Sequence, residues 1–315
     1  MEIIQGTTDF QLYMESAVAI GKFDGVHIGH RRLLEEIIEQ KKNGLQACVF
    51  TFDPAPAVLF GLSDGKELTE KPMKREIFAL MGVDVLIEFP LTLETAAIAP
   101  EVFVSEILAD RLQARFIAAG ADISFGAGGA GNMELLRELS GGLGFEVKLV
   151  EKVCVDGVEV SSSYIRRQVE QGNMELAERL LGAPYAVAGT VVHGNRVGRT
   201  LGFPTVNLLP KANKLLPPNG VYYSKVYYGG SKYPAISNVG CKPTVTAEGT
   251  VGVESYLYDF DREIYGQEIV VELLSFRRPE QRFADEEALK RQLQADIAAG
   301  ERFHSRAASS VLVKN

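Results

Sequence analysis

The sequence predicts an α/β domain with a covered parallel sheet, followed by a small all-β barrel or sandwich that ends in a helix. Two observations carry this. Up to about residue 185, short apolar runs rich in β-formers alternate with segments of helical period, the pattern of strand–helix–strand units. Beyond it the helical period disappears, and short strand-like runs separated by Gly, Pro and Asn turns follow until a last amphipathic segment. The chain therefore divides into 1–185 and 186–315, in keeping with the two domains expected for 315 residues.

In chain order, SAVAI (16–20) and LQACVFTF (45–52) read as strands. Between them RRLLEEIIEQKKNG (31–44) puts Leu33, Leu34, Ile37 and Ile38 at helical spacing, with Asn43-Gly44 as the stop signal. The alternation continues: DVLIEF (84–89) as strand, PEVFVSEILADRL (100–112) as helix, ARFIAAG (114–120) as strand, NMELLREL (132–139) as helix and FEVKLV (145–150) as strand. Ligands of such sheets sit at the carboxyl ends of the strands. After ERLLGAPY (178–185), the runs VAGTVVH, GVYYSKVYYGG, YPAISNVG, TVGVESYLYDF and EIVVELLSF are strand-like. DEEALKRQLQADIAAG (285–300) returns to helix, with Leu289, Leu293 and Ile297 on one face and Gly300 as its expected stop.

A net charge of −8 and a pI near 5.3 argue against a broad nucleic-acid or anionic-membrane surface, while leaving room for a local basic pocket. Cys48, Cys154 and Cys241 are far apart and form no C-x-x-C pair, so free thiols in a reducing cytoplasm are expected. MEIIQGTTDF has no basic leader region, and no apolar run is long enough to span a bilayer. A cytoplasmic protein with no membrane and no nucleic-acid partner is the expectation.

Two stretches carry chemistry. GKFDGVHIGH (21–30) follows a strand and opens a helix. Free N–H groups and partial positive charge at a helix start suit an anion, and Gly21, Gly25 and Gly29 allow close backbone approach. His27 and His30 stand at its mouth as donors; read alone, H-x-G-H is equally a turn capped by histidines. In VGRTLGFPTVNL (197–208), Gly198 and Gly202 loosen the backbone and Pro204 fixes it before Thr205. On a strand Thr205 and Asn207 share a face, where a hydroxyl and an amide suit a hard cation and a phosphate; the same pattern also describes an edge strand after a turn. In VESYLYDF (253–260), Val253, Ser255 and Leu257 alternate with Glu254, Tyr256 and Tyr258.

With these residues in view, the chain resembles the prokaryotic bifunctional riboflavin kinase/FAD synthetase family. H-x-G-H in this setting is the signature of nucleotidyltransferases, and Phe23-Asp24-Gly25 extends the match. TFDPAPAVLF (51–60), GADISFGAGGAGN (120–132) and VSSSYIR (160–166) follow in the family's order, as do SNVGCKPTV (237–245), IYGQ (264–267) and FRRPEQRF (276–283). The resemblance implies a Rossmann-like nucleotidyltransferase domain and a riboflavin-kinase barrel. ATP would phosphorylate riboflavin to FMN and then adenylylate FMN to FAD, with Mg²⁺. It implies that Gly21, Phe23, Asp24, Gly25, His27 and His30 hold one triphosphate, with Ser161, Ser162 and Arg166 approaching it; a serine N-cap explains VSSSYIR equally well. Asp122 and Phe125 are implied at the flavin. In the second half it implies that Gly198, Gly202, Pro204 and Thr205 hold ATP, that Thr205 and Asn207 hold Mg²⁺, that Glu254 is the base for the ribityl 5′-hydroxyl, and that Arg278 holds the flavin or its phosphate.

Ala55, Gly129, Asn132 and Tyr164 stand where the family carries histidine, arginine, aspartate and arginine. Charge and donors are thereby lost from the first site, so slower adenylylation is expected. Two alternatives go with this: a kinase whose first domain is catalytically degenerate, and a flavin-binding regulator without turnover. Thr205, Asn207 and Glu254 weigh against the second, because a binder needs no base.

Overall fold

Why does SAVAI form the middle of a sheet? The answer lies in its burial on both faces. A computed structural model describes residues 1–194, 197–242 and 250–312. The chain forms two compact units, Met1–Ser162 and Ser163–Asn315. This division precedes the change of sequence period at 185, because two helices discussed below go with the second unit.

In the first unit β1 (Glu2–Gln5), β2 (Ser16–Ile20), β3 (Gln46–Asp53), β4 (Val85–Pro90), β5 (Ala114–Gly120) and β6 (Glu146–Val150) form a parallel sheet in the order β1-β4-β3-β2-β5-β6. All five residues of β2 are buried, as a parallel strand covered on both sides requires. Ala17 and Ala19 pack with Leu33, Leu34, Ile37 and Phe78, while Val18 and Ile20 pack with Phe103, Leu108 and Leu136 on the other face. Side chains alternate across the strand, so one five-residue run feeds two cores. The chain runs from β2 to β3 and β4 on one side and returns to β5 and β6 on the other. The strand order reverses at β2, and the loop after β2 opens at this switch point, where open α/β sheets bind ligands.

Helix α1 (Ile28–Glu39) begins three residues before the expected segment and stops at Gly44, φ 82°, after a short 3₁₀ turn. Helices α2 (Pro56–Leu59) and α3 (Lys71–Met81) follow. α4 (Pro100–Val102) runs directly into a π-helical stretch, Phe103–Arg111, which buries Phe103, Val104, Ile107 and Leu108. The segment is helical as expected, but closes through wider turns: Leu112 N–H bonds to the Ile107 carbonyl at 3.0 Å. α5 (Met133–Leu143) is capped by Asn132, whose Oδ1 accepts from the N–H groups of Glu134 and Leu135 at 2.9 and 3.1 Å. A small hairpin, β7 (Cys154–Val155) and β8 (Val158–Glu159), ends the unit.

α6 (Ser162–Glu170) starts at the division between units, and α7 (Met174–Leu181) packs on the barrel strands β9 (Tyr185–Val192) and β14 (Glu268–Pro279). With α8 (Val197–Thr200), β10 (Val206–Pro210), β11 (Gly220–Tyr228), β12 (Ser231–Lys242) and β13 (Thr250–Leu257), the strands close a barrel in the order β10-β13-β12-β11-β14-β9. Val253, Ser255 and Leu257 point into its buried interior, with Ser255, Ser237 and Ser224 joined in a chain of 2.7 Å hydroxyl bonds. Each buried hydroxyl is thereby satisfied without a charge.

The terminal helix α9 (Glu286–Leu312) corrects one expectation: it runs through Gly300. Tyr258 explains the glycine. Its hydroxyl donates to the Ile297 carbonyl at 2.7 Å, and a Cβ at position 300 would lie 2.1 Å from that oxygen. The residue makes room for a barrel tyrosine docked on the helix backbone and does not end the helix. Cys48 is a buried and Cys154 an exposed free thiol; the Cys241 side chain lies outside the described residues, as do residues 243–245 of SNVGCKPTV.

Candidate active sites

The first site is built on a bent loop with apolar anchors. Phe23, Gly25 and Val26 take φ of 50°, 86° and 41°. Only glycine adopts this region freely, and for a β-branched valine it is strained. Burial holds the strain: Phe23 and Val26 are fully enclosed, with Phe23 edge-on to Phe78 at 5.4 Å. Gly21 is needed because a Cβ there would meet the Phe23 ring at 3.1 Å. Asp24 ties the loop to its surroundings, since Oδ1 accepts from Leu68 N–H at 2.9 Å and its carbonyl accepts from Ser162 Oγ at 2.8 Å.

His27 caps α1: its Nδ1 accepts from His30 N–H at 3.3 Å. The two rings stack at 3.7 Å between centroids. Capped turn and phosphate mouth are thus compatible readings of the same pair. The cap bond keeps Nδ1 unprotonated and puts the ring proton on Nε2. Burial lowers the His27 pKa to about 4 against a smaller opposing pull from Asp24 and Asp122. Burial, with His27 and Lys74 adding to it, holds His30 well below the usual range. At neutral pH both are neutral N–H donors.

This has a measurable consequence. Between the folded value near 4 and the ordinary value of 6.5, the unfolded chain binds protons that folded His27 does not. Stability is therefore full above about pH 6.5, falls as pH drops through the window and levels off below about pH 4. Each unit of depression corresponds to about 1.4 kcal/mol. On going from about pH 7.5 to about pH 5, the unfolding midpoint should drop more for the parent than for H27Q. Equal drops would contradict the assignment.

The other residues expected with this loop divide, and two of them, Tyr164 and Arg166, fall in the second unit. Asp122 is exposed, ion-paired to Lys152 at 3.5 Å and close enough to His27 to act on its charge. Phe125 is not at the surface: it is 2% exposed and stacked on Phe103 at 5.3 Å, a core residue in this structure. Ser161 is exposed, and Arg166 follows Ser162 by one helical turn on α6. Tyr164 carries the Arg167 guanidinium over its ring at 5.7 Å. Ala55 is the residue before α2, with no side-chain cap. Gly129 has φ 67°, so the arginine that the family carries there would enter a conformation that favours glycine.

In the barrel, Thr205 lies just before β10 and Asn207 within it. Asn207 pairs across the ladder with Glu254 of β13, and Glu254 pairs on its other side with Asn238 of β12. Thr205 Oγ1 donates to Glu254 Oε1 at 2.5 Å. That bond uses the hydroxyl proton and leaves the oxygen lone pairs for another partner. Gly194 leaves space for the buried Asn207 amide, since a Cβ there would lie 2.6 Å from its nitrogen. Gly202 turns at φ 91°, and a Cβ on Gly198 would strike the Phe203 carbonyl.

Two clefts meet at this point. One of about 300 Å³ is lined by Gly194, Pro204, Thr205, Asn207, Ile264 and Tyr265. The other, about 610 Å³, is lined by Thr205, Asn238, Glu254, Tyr256, Arg278 and Leu293, among others. Thr205 belongs to both, Asn207 only to the smaller and Glu254 only to the larger. The arrangement can hold a polyphosphate on one side and an acceptor hydroxyl on the other. Reading the sequence missed Asn238, whose Nδ2 donates to Glu280 Oε1 at 2.9 Å, and Asp296, which holds Arg278. A single polar residue in a strand or on an amphipathic helix gives no signal of its own.

The family description FAD synthetase matches residues 10–164 and the description riboflavin kinase matches 181–304. The bifunctional riboflavin kinase/FMN adenylyltransferase of Listeria monocytogenes is 37% identical over 92% of this chain and 93% of its own length. The chain belongs to the bifunctional riboflavin kinase/FMN adenylyltransferase family. Family members from Escherichia coli, 37% identical over 96% of this chain and 98% of theirs, and Bacillus subtilis, 33% over 92% and 93%, extend the match. A solved structure from Streptococcus pneumoniae, described as a macrolide-efflux protein, shares the fold at TM-score 0.86 and 30% identity, covering 95% of this chain and 98% of that one. No helix among the described residues of this family member is long and apolar enough to cross a membrane.

Proposed function

We propose that this chain phosphorylates riboflavin with ATP in the barrel and transfers AMP from a second ATP to FMN at the loop 21–30, giving FAD and pyrophosphate. The observation that carries the first reaction is the Thr205–Glu254 bond at the junction of the two clefts. Riboflavin occupies the larger cleft, with its 5′-hydroxyl toward Glu254 and its ring toward Arg278. ATP occupies the smaller one. Glu254 accepts the hydroxyl proton as the oxygen attacks the γ-phosphorus, and ADP leaves. Phosphoryl transfer asks for little beyond this alignment and charge neutralisation.

Thr205 and Asn207 offer the hard oxygen donors that suit Mg²⁺, and their number suits an ion held mainly by substrate phosphates. Among the described residues no group of three or more histidine, cysteine, aspartate or glutamate side chains is placed to hold a metal ion. When bound there, Mg²⁺ would neutralise charge on the triphosphate.

In the first unit the FMN phosphate attacks the α-phosphorus directly. Neutral His27 and His30 and the N-terminus of α1 donate to the oxygens on which charge develops. Ser162 holds the loop through Asp24, and Ser161 serves the same triphosphate. Asp122, beside His27, faces the flavin phosphate side of the site. The cytoplasm, a compartment that supplies ATP, is the location proposed for these reactions.

A time course with riboflavin, ATP and Mg²⁺, with flavins separated by chromatography, tests this. FMN should rise first and FAD after a lag. FAD forming without prior FMN, or neither product forming, contradicts the proposal.

A further inference from the structure

The larger cleft of the barrel is bounded on one side by α9, whose Leu289, Leu293 and Ile297 line it at helical spacing. The same helix carries Asp296, 3% exposed. Its carboxylate accepts from Arg277 Nε at 2.8 Å, from Gln292 Nε2 at 3.0 Å, and from Arg278 through Nε at 3.1 and 3.2 Å and Nη2 at 2.5 Å. Burial alone raises the Asp296 carboxyl, but the bonds from Arg278 and Arg277 outweigh it and hold it below the usual aspartate range.

Arg278 also donates from Nη1 to the Pro279 carbonyl at 2.9 Å. A guanidinium has five N–H donors; three are taken here, and one on each terminal nitrogen remains. The two arginines do different work. Arg278 lines the cleft, whereas Arg277 does not and instead reaches the Tyr223 hydroxyl at 3.0 Å. An arginine held by a buried carboxylate has given up its rotamer freedom before a ligand arrives, and such preorganisation favours binding. Asn207, with Thr205 the proposed phosphate contact, lines the smaller cleft and not this one; here α9 supplies the apolar row Leu289, Leu293 and Ile297, and the Glu280 carboxylate, which repels a phosphate, lies in the lining with Arg278. A flat ring with a carbonyl edge fits there better than a phosphate.

We infer that Asp296 is a positioning residue for the kinase reaction: through Arg278 it presents two fixed N–H donors to the carbonyl edge of the flavin ring lying against Leu289, Leu293 and Ile297. This rests on the reading of Arg278 as a flavin contact.

The test uses the full chain and the initial rate of FMN formation. In D296N, KM for riboflavin should rise about tenfold, the loss of one oriented charge-assisted bond, while kcat and KM for ATP hold. R278A should raise the same KM, and adding D296N to R278A should raise it no further. R277L, which removes the bonds to Asp296 and Tyr223 outside the cleft, should lower the melting temperature and leave KM unchanged. D296E moves the carboxylate by one methylene while keeping its charge; it serves if D296N does not fold and should raise KM for riboflavin. An unchanged riboflavin KM in D296N, or in D296E where only that variant folds, overturns the inference. So does an equal D296N effect in the R278A background. If R278A itself leaves KM unchanged, the reading of Arg278 as a flavin contact fails first, and that result is separate from either.

Discussion

Glu254→Gln should lower FMN formation from riboflavin by about 10²–10⁴-fold, the usual contribution of a positioned general base. Glutamine retains an oxygen that can accept from Thr205, so the 2.5 Å link across the clefts has a neutral substitute. What is lost is the second carboxylate oxygen as a proton acceptor for the attacking hydroxyl. The side chain lies at the cleft surface and not in the barrel interior, where Val253, Ser255 and Leu257 are buried. Folding should therefore be preserved, and FAD formation from supplied FMN should match the parent. Near-parental FMN turnover in E254Q would refute the role of Glu254.

Replacing both His27 and His30 by alanine should abolish FAD formation from FMN and leave FMN formation from riboflavin unchanged. Losing one preorganised donor commonly costs about 10²–10³ in rate, and here two go together. His27 also caps α1, and losing a cap costs about 1 kcal/mol. H27N separates the effects, because asparagine caps well but does not reproduce the imidazole Nε2–H. A large loss of adenylylation in H27N with intact kinase activity points to the donor. Full activity in H27N would leave His27 as a cap alone.

The sequence made the architecture legible wherever one physical signal dominated. SAVAI and ARFIAAG coincide with β2 and β5 because a central parallel strand is apolar on both faces. The alternation in VESYLYDF separated the barrel interior from Glu254 correctly. β1 escaped notice because an exposed four-residue edge strand has no apolar pattern. α3 carries readable signals, a proline in its first turn and Gly82 at its stop, but buries only Phe78 and so presents a weak core face. Gly300 misled for a different reason: its cause is Tyr258, 42 residues earlier in sequence, and close approach leaves no local trace. At the sites, motif residues could be read, while their supports could not. Asp296 and Asn238 act through neighbours brought close only by folding. Phe125 sits in a glycine-rich motif, but its ring serves the core.

On the proposed function, the loop 21–30 remains an adenylyltransferase despite Ala55, Gly129, Asn132 and Tyr164. Asn132 still caps α5 and His27 still caps α1, so the framework of the site is intact. The direct measurement supplies FMN, ATP and Mg²⁺ without riboflavin and follows FAD and pyrophosphate together. FAD and pyrophosphate should both form, in equal amounts and at a measurable rate. Formation of FMN from riboflavin with no FAD from supplied FMN, even at high ATP and Mg²⁺, would contradict it and leave a kinase whose histidine pair is a remnant.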